Sequence, residues 1–213
     1  MMGSDGFSRS PEPGMREEGN NVEVPRETIL TLVILYRVLV YPIQLLIGSS
    51  RNHHTRFNFF HWSQFLRDVQ NGRDAHDPAF RATLFAVCAV VSARTRDGAL
   101  SNLASFLQDL LPPTYAQLLA RSPTPEWFKS RAEHLLPKDI LVASRDFDNL
   151  RATALLALLC IQNGDTEQLQ GYLGNYSTMM IVSGLYDEAR WDDSLTEVQR
   201  QERRRLVSRL GRH

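Results

Sequence analysis

From Ile29 the chain runs ILTLVILYRVLVYPI, an apolar stretch interrupted by one cation, Arg37. Pro25 stands ahead of it and Glu27 near its start. Both suit a helix N-terminus, where amides are unpaired and negative charge is favoured. The run predicts a helix ending near Tyr41, where Pro42 ends or kinks it. FFHWSQFLRDV predicts a short helix with Phe60, Phe65 and Val69 on one face, and Asn71-Gly72 suits a left-handed stop. Asp77 followed by Pro78 is a sharp helix start. In the helix beyond it Phe80, Leu84, Val87, Cys88 and Val91 form one apolar line, while Ala86, Ala89 and Val90 make the opposite side apolar too. A helix apolar nearly all round is buried. Asp97-Gly98 closes it.

Residues 99–120 hold a further amphipathic stretch broken by Pro112-Pro113. PEWFKSRAEHLL predicts a helix with Trp127, Phe128, Ala132 and Leu135 turned inward. The strongest unit spans 146–184. Asp148 is the expected cap of NLRATALLALLCIQ, and Asn163-Gly164 ends that helix. Asp165 and Gln168 have capping-box spacing for the next, on which Leu169, Leu173, Tyr176 and Met180 recur. Two helices joined by so tight a turn form an αα-hairpin. Thr196 and Gln199 repeat the capping-box spacing before a final helix. With no alternating strand pattern, the expected class is all-α, built of packed helical hairpins. Residues 1–24, rich in Gly, Ser, Pro and Glu, read as a disordered tail, and 25–213 as one helical domain.

The 213 residues carry 24 basic and 24 acidic side chains, so the overall basic excess usual in nucleic-acid binders is missing. Residues 1–24 lack the apolar core of a signal peptide. Ile29–Ile47 is nearly long enough to span a bilayer. However, an arginine at the centre of a span costs about 2.5–3.5 kcal/mol, and Tyr36, Pro42 and Gln44 weaken that reading further. A buried core helix, and no membrane contact, is expected instead. The two cysteines, Cys88 and Cys160, lie in apolar runs and read as buried thiols in a reducing compartment.

Catalytic and cofactor motifs are sparse. Gly171 and Gly174 form only a GxxG inside a helical pattern, with no strand ahead to make a dinucleotide loop. His53, His54 and His61 lie close in sequence but lack a Cys or carboxylate at metal-ligand spacing. Asp187, Glu188, Asp192 and Asp193 read as a solvated turn, not an acid–base pair. No enzyme activity and no cofactor is expected. Arg200, Arg203, Arg204, Arg205 and Arg209 make a local basic cluster, offset by Glu197 and Glu202, that reads as a solvated helical face ahead of an import or interaction patch or a direct DNA contact. Tyr172, Tyr176 and Met180 are expected to be core or to line an effector cavity. The core is expected at Phe80, Leu84, Cys88, Leu155, Leu159, Leu169 and Leu173.

Taken together and in order, these strings resemble one family: ETILTLVILYRVLVYPI, FFHWSQFLRDV, DPAFRATLFAVCAVVSARTRDGAL, the segment from Leu141 to Glu188, and ERRRL. They look like the fungal-specific transcription factor domain, or middle homology region, of zinc-cluster regulators of the quinate-utilisation and xylanolytic-activator kind. The resemblance spans Arg26 to Leu206. It rests on Tyr41-Pro42, on the Asp97-Gly98 stop, on the Asn163–Asp165 hairpin and on the Gly-Leu-Tyr-Asp turn at 184–187 before the arginines. It implies an all-α regulatory domain of a nuclear protein, working through intramolecular contacts, protein partners or co-regulators, or an effector. It implies no catalytic residue. The family's six-cysteine zinc cluster has no counterpart here, so DNA contact is expected only through a missing zinc-cluster domain. Residues 44–58 interrupt the family's pattern, and the chain ends sooner than its members do. A truncated or mis-spliced product is therefore expected, with Leu206 and Leu210 left exposed. The rival expectation is a helical protein–protein interaction scaffold unrelated to transcription.

Overall fold

The computed structural model describes residues 23–40, 59–100 and 114–210, with side chains described to Val207. Within them every regular element is helical. In chain order these are α1 (Arg26–Val40), α2 (Trp62–Gln70), a 3-10 turn (Arg73–Ala75), α3 (Pro78–Arg96), α4 (Tyr115–Ala120) and α5 (Pro125–Leu135). There follow α6 (Ile140–Ala143), α7 (Phe147–Asn163), α8 (Thr166–Val182), a second 3-10 turn (Glu188–Arg190) and α9 (Glu197–Leu210).

Helix α3 is the axis of the fold. It packs against α1, α5 and α7, so hardly any of its surface meets water. That surrounding is what its all-round apolar sequence requires: Leu84, Val87, Cys88 and Val90 are each wholly buried. Burial of each large aliphatic side chain contributes about 1.5–3 kcal/mol. The start of α3 is local chemistry: the Phe80 amide donates to the Asp77 carboxylate at 2.9 Å, and Pro78 follows the cap. Helix α1 is a core helix, with Leu32, Val33, Leu35 and Tyr36 at zero exposure, and Arg37 lies over the Trp62 ring at 5.6 Å. Among the described residues no helix is long and apolar enough to cross a membrane. Tyr41 and Pro42, the expected end of α1, lie outside the described residues, as do 44–58, His53, His54 and the tail to residue 22.

The α7–α8 hairpin forms at the Asn163–Asp165 turn. Gly164 takes φ +71°, and the Asp165 amide donates to the Cys160 carbonyl at 2.9 Å. Details of its two helices depart from the sequence pattern. The cap of α7 is Asp146, which accepts the Asp148 amide at 2.8 Å, while Asp148 itself is drawn inward as an ion-pair partner. The capping box of α8 is half made: Asp165 accepts the Gln168 amide, but the Gln168 side chain accepts from Lys129 instead of turning back. On α8 the buried line is Tyr176 and Met179 with Tyr172 partly covered, one step round from the expected stripe. Leu173 is consequently exposed and Leu169 only half-buried. Helix α9 makes its full box, the Thr196 amide donating to Gln199 Oε1 at 2.9 Å and the Gln199 amide to Thr196 Oγ1 at 3.3 Å. Leu206 is not exposed. It is buried in a second apolar cluster with Leu150, Tyr176, Met179 and Leu185. The side chain of Leu210 lies outside the described residues.

A candidate regulatory cleft closed by buried ion pairs

A cleft of about 670 Å³ opens where α2, the first 3-10 turn, α3, the start of α7 and α9 converge. Its chemistry follows from a chain of charges threaded between aromatic rings. Gly72, at φ +71°, lets the backbone turn from α2 into the 3-10 turn that carries Arg73. The Arg73 guanidinium then reaches Asp148 at 2.7 Å, Asp77 at 2.7 Å and Asp68 at 3.2 Å, and lies 4.5 Å over the Phe80 ring. Burial opposes charge on Arg73, but Asp148 and Asp77 outweigh it and hold its pKa above the usual arginine value. At Asp77 burial likewise opposes ionisation. The Phe80 amide and Arg73 overcome it and keep the carboxyl below its ordinary pKa.

Asp148 is 3% exposed and spends both oxygens on arginines: Oδ2 on Arg73, and Oδ1 on Arg151 at 2.6 Å. Thr83 clamps the same residue by donating to its carbonyl at 2.6 Å. Arg151, 8% exposed, lies 5.2 Å from the Phe60 ring and 4.4 Å from the Phe147 ring. Guanidinium groups are weakly hydrated and stack on rings, which makes arginine the cation that tolerates such a slot. Its other end pairs with Glu202 of α9 at 2.6 Å, and Glu202 Oε1 also accepts the His61 amide at 2.5 Å. The path Asp68–Arg73–Asp148–Arg151–Glu202 thus ties α2, the 3-10 turn, α7 and α9 together across 134 positions of sequence, from 68 to 202. Helix α9 is otherwise held mainly by Leu206 and by Tyr176, whose hydroxyl donates to the Leu206 carbonyl at 3.2 Å. Because each carboxylate of this chain is engaged by a guanidinium, the arrangement is suited to holding α9 in place, not to proton transfer.

The residues expected to act as sites are dispersed. Tyr172 donates to Glu133 and packs on the first core cluster, whereas Tyr176 and Met180 belong to the second. The three are thus divided between the two apolar clusters. Burial, with Glu133 beside it, pushes the Tyr172 phenol up, and burial alone raises that of Tyr176. The basic run is spread round α9. Arg200 donates to the Leu195 and Asp192 carbonyls, and Arg204 pairs with Glu188 at 3.0 Å and Glu197 at 3.1 Å. Arg203 lies 4.9 Å over Phe147, and Arg205 is half-buried. Cys88 and Cys160 are buried free thiols, and burial raises the pKa of both. Among the described residues no three His, Cys, Asp or Glu side chains converge as a metal site.

From the sequence, Asp148 reads only as a helix cap and Glu202 only as an offset to the neighbouring arginines, and Arg73 and Arg151 carry no signal of their own. Only the SRDFDNLR string hinted at them, by placing charges at the head of an apolar helix. In comparison with known proteins, residues 50–208 match the family described as "Fungal specific transcription factor domain". No curated protein and no solved structure matches. The matched span omits α1, although α1 packs into the same core.

Proposed function

The chain belongs to the fungal specific transcription factor domain family, and from that membership we propose that it is a control module for RNA polymerase II transcription in the nucleus. The family is a transcription-regulatory one and not a family of enzymes. The finer reading is that the domain works through contacts with protein partners, co-regulators or other parts of a regulator, with DNA reached through a separate zinc-cluster domain. One observation supports this mechanism above others: α9 is fastened to the body through a buried carboxylate, Glu202, which bridges Arg151 and the His61 amide. Such a joint has a closed state, with the pair made, and an open state, with the charges hydrated. A partner that binds one state shifts the balance only by its differential affinity. Each 1.4 kcal/mol of that difference changes the population ratio about tenfold.

The test fuses the whole chain to a heterologous DNA-binding domain and reads a reporter under the matching operator. The expected result is that the fusion changes transcription relative to the DNA-binding domain alone. Glu202→Gln, which removes the charge but keeps the shape, should shift that output at equal protein level. A fusion indistinguishable from the DNA-binding domain alone would overturn the reading.

A further inference from the structure

A second concavity, of about 510 Å³, lies behind the first, between the α6–α7 corner, the end of α8 and the turns leading to α9. Its floor includes Leu150, Met179 and Trp191, at 2%, 1% and 8% exposure. The Trp191 indole N–H is already satisfied, donating to the Leu185 carbonyl at 3.1 Å, so the ring offers an apolar face. Around the rim stand three guanidiniums, Arg145, Arg190 and Arg203. Among the described residues none of the three has a carboxylate within ion-pair distance. Arginines nearby are paired, as with Arg204 on Glu188 and Arg151 on Asp148. Two carboxylates do line the groove, Asp146 and Asp192, and each accepts a local amide: Asp148 at 2.8 Å and Ser194 at 2.8 Å. Arg203 is half-buried, and burial followed by the neighbouring Arg151 charge holds its pKa below the usual arginine value.

We propose that this groove binds a small organic carboxylate with an apolar body, the anion at Arg145, Arg190 and Arg203 and the body over Leu150, Met179 and Trp191. The volume is within the range of roughly 300–1,000 Å³ typical of small-molecule sites. Arginine's planar fork matches a carboxylate with two parallel hydrogen bonds. A carboxylate here would also relieve the repulsion between Arg203 and Arg151, which stand at one ring, Phe147. Arg203 lines both concavities, so occupancy would act on the element that Glu202 fastens.

Calorimetry on the whole chain with 4-phenylbutyrate, and with 4-phenylbutyramide as its uncharged counterpart, tests the assignment. The acid should bind and alter Trp191 fluorescence, and the amide should bind about tenfold more weakly or worse, the scale of one charge-assisted hydrogen bond. Arg145→Met, on the exposed rim, and Arg203→Met should each weaken the acid to a similar degree with helical circular dichroism retained, while Arg121→Met, remote from the groove, should not. Equal affinity for acid and amide, unchanged binding in both rim variants, or no binding at millimolar acid would overturn the proposal. So would an acidic, leucine-rich peptide binding where phenylbutyrate does not, since that makes the groove a protein-docking face. None of these outcomes alters the reporter result, so this inference and the regulatory reading fail separately.

Discussion

Arg151→Met is the most informative perturbation of the buried charge chain. Methionine nearly keeps the volume of the arginine stem, so the loss is chiefly electrostatic. In the wild type Arg151 serves Asp148 at 2.6 Å and Glu202 at 2.6 Å. After the change Asp148 still has Arg73 at 2.7 Å, but Glu202, 9% exposed, keeps only the His61 amide. A buried ion left without its partner costs about 3–5 kcal/mol. At roughly 2–4 °C per kcal/mol for a chain of this size, the midpoint should fall by about 6–20 °C. The sharper prediction concerns the double variant Arg151→Met/Glu202→Leu. Removing the stranded carboxylate should return about 1–3 kcal/mol, so a second core substitution stabilises the first. Urea titration followed by circular dichroism gives the free energies of wild type, the single variant and the double variant. A cost below about 1 kcal/mol for Arg151→Met, or a double variant no more stable than the single, would refute the account of the cleft as a charge network that holds α9.

Other tests address separate features. Gly171 is mid-helix in α8 with open space where a Cβ would stand, so Gly171→Ala should raise stability by about 0.5–1 kcal/mol in the same titration. Gly164 has as much space but a φ of +71°, so Gly164→Ala should lower stability by about 1 kcal/mol. Asp77 has a depressed folded pKa, so its contribution is present above the unfolded value of about 3.9 and is lost as pH falls through the lower folded value. The stability gap between wild type and Asp77→Asn should therefore be full near pH 6 and shrink progressively below about pH 4. Both cysteines are buried, so a thiol reagent should label neither in the native protein and both in denaturant.

What could be read from the sequence divides by range. The Asp77-Pro78 start, the Asn163–Asp165 turn and the all-round apolar face of α3 are settled by residues within a few positions, and each is in place. The errors arise where a distant partner chooses between local equals. Asp146 and Asp148 both suit a helix N-cap, and Arg73, 75 positions before Asp148, decides between them by pairing with the second. The stripe on α8 is turned by about one residue because the face that packs on α7 runs through Tyr172, Tyr176 and Met179. The arginine run of α9 looks like a single patch in sequence. On a helix each residue turns about 100° from the last, which sends Arg203 onto Phe147 and Arg204 out to Glu188.

The placement of α9 argues that its polar attachment has a purpose that an apolar one would not serve. Buried ion pairs are seldom the most stable way to fill a site, because desolvation consumes most of what the attraction supplies. An α9 joined by leucines throughout would hold at least as firmly. It would also bind in more than one rotation, since apolar contact is non-directional. The Glu202 carboxylate accepts from the His61 amide at 2.5 Å, a directional contact that favours one rotation of the helix, and lies 2.6 Å from the Arg151 guanidinium. On the regulatory reading proposed above, a competing anion at Arg151 would loosen that joint, and Arg203 lines both concavities beside it. A helix held by directional, solvable charges next to an arginine-rimmed apolar groove is thus set up to report on what occupies that groove, and a permanently apolar seam would be deaf to it.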